Sequence, residues 1–97
     1  MTDSVVAPLV LVDWDDPFSN DTWTGTARRV GKVRDNRCST VGFLLAETKK
    51  GVVLAQNLGF CSPDGIYHTS CMLMTIQRGS IRKLRHIRGF SALVDKE

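Results

Sequence analysis

No run of about 18 apolar residues occurs in this 97-residue chain, which excludes a membrane-spanning helix. Export signals are missing too. Met1 is followed by Thr2, Asp3 and Ser4, not by a basic segment and a long apolar stretch, so no secretory leader is expected. Cysteine is scarce. The three present, Cys38, Cys61 and Cys71, are an odd number, which argues against a disulfide framework and for a reducing compartment. A cytoplasmic protein is the expectation. Neither Gly-x-Gly-x-x-Gly nor a phosphate loop ending in Gly-Lys-Ser/Thr is present, so two common nucleotide cradles are excluded. There is no internal repeat and no low-complexity tract. What is present is 42% hydrophobic residues, enough for a core, so wholesale disorder is excluded. The length fits one small domain. A core that small is commonly supplemented by oligomerisation.

The net charge of +3 conceals an asymmetry. Residues 1–27 hold Asp3, Asp13, Asp15, Asp16 and Asp21 and no Lys or Arg. Arg28, Arg29, Lys32, Arg34 and Arg37 then follow within ten residues. A second basic group is Arg78, Arg82, Lys83, Arg85 and Arg88. Two such clusters can converge on an anionic ligand, because the guanidinium fork matches phosphate oxygens. Each cluster alone also fits a solvated face. The excess is too small for strong non-specific duplex binding.

Leu9 to Trp14 is β-branched and aromatic and stops at Asp15-Asp16-Pro17, which predicts a strand. Residues 15–38 are polar, with Pro17, Gly25 and Gly31, and show no sustained period, with a helical turn near Ala27–Val30. A loop this long in a small domain tends to be functional. Val41, Phe43 and Leu45 alternate with Gly42, Leu44 and Ala46, which predicts a strand covered on both faces. Lys49-Lys50-Gly51 turns into a returning strand, with Gly51 able to supply a positive φ. A turn-rich loop around Ser62-Pro63-Asp64-Gly65 precedes the next strand. Ile81, Leu84 and Ile87 are spaced by three, yet seven residues make a poor isolated helix, so a bent strand is expected. The strands are expected near 9–14, 40–48, 52–58, 68–76 and 81–87. The domain is expected over 9–87, with tails at 1–8 and 88–97. The fold class is all-β: a small, strongly bent antiparallel barrel with a long loop after its first strand. Edges left open by so small a sheet invite pairing between subunits, so a homo-oligomer is expected.

Tests for chemistry return little. Cys61, His68 and Cys71 stand at Cys-x6-His-x2-Cys spacing, without the close ligand pair of a structural zinc site. No nucleophile elbow accompanies His68 or His86. Asp13 and Asp15 share a side and suit a metal or acid–base role, but nothing else completes a mechanism. No catalytic residue, metal or cofactor is therefore expected. The remaining site material is basic and aromatic: arginines for phosphate, and Trp14, Trp23 and Tyr67 for stacking on a base. Trp14 ends a strand and suits half core, half site.

Met74-Thr75-Ile76-Gln77-Arg78-Gly79-Ser80-Ile81-Arg82 resembles the second signature of Sm and Sm-like proteins. The preceding hairpin, Val41-Gly42-Phe43-Leu44-Leu45 through Val52-Val53-Leu54-Ala55-Gln56, stands where the first signature falls. The resemblance covers about residues 40–87. It implies a five-stranded barrel, a ring of subunits joined through the last two strands, and single-stranded RNA bound at an Asp-x-Φ-Asn turn and the Arg-Gly turn. This chain departs from that pattern: the first turn reads Thr48-Lys49-Lys50-Gly51, without Asp or Asn. A strand and the 15–38 loop stand in place of the family's N-terminal helix. The wider pattern, from the Asp-Trp strand end to Ile-Gln-Arg-Gly-Ser-Ile-Arg, also looks like small bacteriophage and prophage proteins. That likeness implies an oligomer in the bacterial host cytoplasm that works against host immunity. Such a sponge sequesters a nucleotide messenger, a cyclic oligonucleotide or an ADP-ribose type, without cleaving it.

The expected function is therefore non-enzymatic binding of a small anionic nucleotide by a homo-oligomer. The alternative is an Sm-like RNA-binding ring. The expected ligand site is the Arg78-Gly79 turn, with Arg82, with Arg28 or Arg29 from the long loop, and with Trp23 or Tyr67 stacking on a base.

Overall fold

A computed structural model describes residues 3–16 and 37–96. It contains β1 (Ser4–Asp15), β2 (Arg37–Glu47), β3 (Gly51–Cys61), β4 (Ile66–Gln77) and β5 (Ile81–Asp95). A single 3-10 turn, Arg78–Ser80, joins β4 to β5. The five strands form one sheet that closes into a ring, with β1 paired to both β2 and β5. No helix among the described residues is long and apolar enough to cross a membrane.

The all-β barrel matches the expectation in class but not in every pairing. β4 and β5 meet in parallel, through Ile66↔Leu93 and Tyr67↔Val94. The reason is parity. Strand direction alternates around an antiparallel ring, and with five strands one junction must join two of the same direction. The tails are also corrected. Ser4–Pro8 pairs with Ser91–Asp95, so the strands extend through residues expected to lie outside the domain. The loop expected at 15–38 is shorter at both ends, since Asp15 belongs to β1 and Arg37 and Cys38 to β2, and residues 17–36 lie outside the described residues.

Alternation builds the core. Val10 and Val12 of β1, Val52 and Leu54 of β3, and Ile76 of β4 are all essentially inaccessible to solvent. Burying a side chain of this size fully contributes about 1.5–3 kcal/mol. Trp14, Leu44, Ile81 and Leu84 pack around them, and the Trp14 indole N–H donates to Thr40 Oγ1 at 3.0 Å. Trp14 is thus half-buried core. Gly42 is buried because a Cβ there would lie 3.1 Å from both Leu54 Cβ and the Ala55 carbonyl oxygen. β2 is less covered than its two-sided apolar pattern implies, since Val41 is exposed.

Bulges explain the irregular β5 pattern. The β1–β5 register shifts between Asp13 and Trp14, where the ladder passes from Lys83 to Ile81. It shifts again between Pro8 and Val10, where Ile87–Phe90 stand out of the ladder and Gly89 takes a φ of 85°. Extra residues bend a strand. The three-residue spacing of Ile81, Leu84 and Ile87 is the trace of these bulges. In β4, Met72 has a φ of 55° and the ladder to β3 skips it; Phe60, at φ 51°, is skipped likewise.

The sheet reaches well beyond its core. The principal extents are 59 × 24 × 23 Å and the radius of gyration is 16.7 Å, against about 13 Å for a compact chain of similar length. Past Tyr67, β4 pairs only with β3, and before Leu93 the outer edge of β5 faces no strand among the described residues. Met72, Leu73 and Phe90 are exposed beside these open edges.

Candidate functional site

The Arg78-Gly79 turn is built by local hydrogen bonds. Thr48 N–H donates to the Gly51 carbonyl at 2.8 Å, closing the β2–β3 hairpin. Gly51 lies opposite Gln77, and the Arg78 N–H donates to the Lys50 carbonyl at 2.9 Å, which ties the 3-10 turn to that hairpin. The Arg78 guanidinium donates to the Thr48 carbonyl at 2.7 Å and to Glu47 Oε2 at 3.3 Å. Arg82 Nε donates to both oxygens of Asp15, at 2.9 and 2.7 Å. Arg85 reaches Asp13 Oδ2 at 3.3 Å, while Ser39 donates to Asp13 Oδ1 at 2.7 Å.

The aspartates of β1 are therefore ion-pair partners of β5. Arg78, which could have paired with Asp13 or Asp15, uses Glu47. The arginines and Glu47 are exposed, the Arg78–Glu47 side chains at 43% and 49%, while Asp13 and Asp15 are half-buried. Exposed pairs contribute only about 0–1 kcal/mol, so an incoming phosphate competes with the carboxylates on nearly even terms. A Cβ on Gly79 would meet nothing within 4 Å, so nothing among the described residues demands glycine there.

Tyr67 lies elsewhere. It is at the first end of β4, eleven positions before Arg78, or about 36 Å along an extended strand. The structure does not bring the two together within one chain. Trp23, Arg28 and Arg29 fall outside the described residues.

Tyr67 marks the seam where the ring closes. It pairs with Cys61 of β3 on one side and Val94 of β5 on the other. His68 Nδ1 and Asp95 Oδ2 meet at 2.9 Å across the same seam. Two clefts flank it and Tyr67 lines both. One, of about 250 Å³, is bordered by His68, Ser70 and Lys96; the other, of about 470 Å³, by Phe43, Asn57 and Ser91.

The turn leading into the seam is held by Ser62. Its N–H donates to the Ile66 carbonyl at 2.8 Å, and its hydroxyl bonds the Asp64 carboxylate. That hydroxyl bond is the main reason the Asp64 pKa is lowered. A carboxylate held below its unfolded pKa stabilises the fold above that unfolded value, and the contribution is lost as pH falls through the lower folded value. Amide exchange at Gly65, corrected for intrinsic rate, is expected to quicken across that acid window in the natural chain and not in Asp64→Asn. Equal acid responses in both would remove Asp64 as the cause.

The seam residues His68, Asp95, Phe43 and Asn57 were not expected in a binding site. One signal was available: Leu93-Val94 and Val5-Val6 are apolar enough to be strands, not tails. Cys38, Cys61 and Cys71 form no disulfide, and no three metal-ligating side chains cluster among the described residues. Compared with known proteins, the chain matches no protein-family model, no curated protein and no solved structure.

Proposed function

We propose that this chain is a self-assembling, non-enzymatic binding protein that holds a small anionic nucleotide at the Arg78-Gly79 turn. The observation that carries the reading is the placement of this turn between two open strand edges. β4 from His68 to Gln77 runs into it, and β5 leaves it at Ile81 with its outer edge uncovered among the described residues. An edge strand presents unpaired N–H and C=O groups, and a second copy offers the complementary row. Assembly through these edges covers Leu73, which is 56% exposed. It also brings the Arg78 and Arg82 forks of adjacent copies towards shared ligand. Sequestration of an immune messenger is the biological form of this activity that the phage likeness implies.

Light scattering at micromolar concentration is expected to return a multiple of the chain mass, and Leu73→Glu to return the single mass with the fold retained. The natural protein is then incubated with cyclic oligonucleotides and ADP-ribose, heated, and its released contents chromatographed. Intact ligand is expected. Altered ligand would instead point to an enzyme, and binding of oligonucleotides alone to the RNA-binding ring. Arg78→Ala should weaken nucleotide binding by about ten- to hundredfold, since hydrogen bonds to charged groups contribute roughly 1.5–3 kcal/mol. Its folding stability should change by less than about 1 kcal/mol, as its ion pair is exposed. Unchanged binding removes Arg78 from the site.

A further inference from the structure

The cleft of about 470 Å³ at the seam falls within the roughly 300–1,000 Å³ usual for small-molecule sites. It is uncharged: none of its lining residues is Asp, Glu, Lys or Arg. Two aromatic residues line it, Phe43 from β2 and Tyr67 from β4. Leu58 and Leu93 add apolar wall. The lining also carries hydrogen-bonding groups: the Asn57 carboxamide, the Tyr67 hydroxyl and the Ser91 hydroxyl. None of these three side chains has a hydrogen-bond partner among the described residues. Gln56 also lines the cleft, and its Nε2 is already spent on the Val41 carbonyl at 2.7 Å. Its Oε1 remains as an acceptor.

We infer that this cleft is a second ligand site, distinct from the Arg78 turn, for a neutral planar heteroaromatic such as a nucleoside. The two rings offer π-faces to a flat ligand, and the carboxamides and hydroxyls supply both donors and acceptors for its edge. The lack of charge selects against free phosphate and carboxylate, whose desolvation nothing in the cleft offsets. The site sits beside the short parallel ladder of β4 and β5, which has two paired positions, so an occupant also bridges the seam. It depends on neither assembly nor the arginines.

The test is amide chemical-shift mapping of the isotope-labelled full chain with adenosine, uridine, inorganic phosphate and glucose. Adenosine or uridine is expected to shift the amides of Asn57, Tyr67 and Leu93 in a saturable way and to leave those of Arg78 and Arg82 in place. Phosphate and glucose should leave the cleft amides unmoved. Tyr67→Ala should weaken nucleoside binding by about five- to hundredfold, the range that one base–aromatic stack covers. Should that variant unfold, Tyr67→Phe and Asn57→Ala serve in its place, each expected to weaken binding about two- to tenfold. Arg78→Ala should bind nucleoside as the natural chain does. The inference is overturned if neither nucleoside shifts the cleft at millimolar concentration, if glucose shifts it equally, or if Tyr67→Phe and Asn57→Ala both bind normally. If the nucleoside tests fail while Arg78→Ala still loses nucleotide binding, this site falls and the proposed function stands.

Discussion

Leu54→Ala is expected to lower the free energy of unfolding by about 2–5 kcal/mol, the range found when a buried leucine is cut back to alanine. Leu54 is fully buried and packs among Val10, Val12, Val52 and Ile76, one residue type after another with no polar group to admit water. The cost of such a cavity depends on how far its walls can relax. On the neighbouring strand Leu54 faces Gly42, which has no side chain to swing into the space. The other fully buried walls are β-branched valines and isoleucine, stiff at χ1, while the half-buried Trp14, Leu44, Ile81 and Leu84 pack outside them. Collapse is therefore limited, and the loss should fall in the upper half of the range. Natural domains are stable by only about 5–15 kcal/mol, so this single change removes a large share. Urea denaturation at one fixed protein concentration measures it, because assembly adds its own concentration-dependent stability. Val41→Ala is the control, at a position 45% exposed, and should cost less than about 1 kcal/mol. Equal losses in the two variants would mean the core lies elsewhere.

The parts of the fold that could be read in the sequence are those decided within a few residues. The β2–β3 hairpin follows from alternation on either side of Lys49-Lys50-Gly51, and it stands where expected, with both strands a few residues longer. β5 could not be read so directly. Its apolar residues lose their alternation at Arg82 and again over Ile87–Phe90, and those bulges are set by a partner strand some seventy residues earlier in the chain. For the same reason the paired ends Ser4–Pro8 and Ser91–Asp95 look like tails one at a time and become a ladder only together. The parallel seam follows from the count of strands, so parity alone would have exposed it once five strands were closed into a ring.

The candidate sites divide along the same line. Arg78 in a tight turn after β4 is legible, because the turn is local; its partner Glu47 lies across the hairpin and is not. Tyr67 is legible as an aromatic in need of a role. Its separation from Arg78 follows from their lying at opposite ends of one extended strand, and its companions Phe43, Asn57 and Ser91 come from three other strands. A ligand site assembled from four strands has no spacing of its own in the sequence.

Gly51→Ala is expected to be the most damaging single methyl that can be added to the described residues, at roughly 3–5 kcal/mol or outright failure to fold. Gly51 adopts a φ of 155°, where a side chain is strained even in open space. The space is not open. A Cβ there would run into the carbonyl oxygen of Ile76, and would sit 3.0 Å from the Ile76 carbonyl carbon and 3.1 Å from Gln77 Cα. All three atoms belong to the β4 backbone, so no side chain can swing aside. Relief requires β4 to move away from β3. That movement breaks the Gly51↔Gln77 pairing and the 2.9 Å bond from Arg78 N–H to the Lys50 carbonyl. It also draws Ile76 out of the core. Two other glycines separate crowding from conformation. Gly65→Ala meets no atom within 4 Å but keeps a φ of 83°, so it should cost about 1 kcal/mol, the price of an alanine in the left-handed region. Gly79→Ala meets neither obstacle and should be within about 0.5 kcal/mol of the natural chain. Thermal melts of the three variants should therefore rank Gly51 far below Gly65, with Gly79 unchanged. A Gly51→Ala protein that melts with the natural chain would show that β3 and β4 do not approach each other at this turn, and the positioning of Arg78 would have to be explained another way.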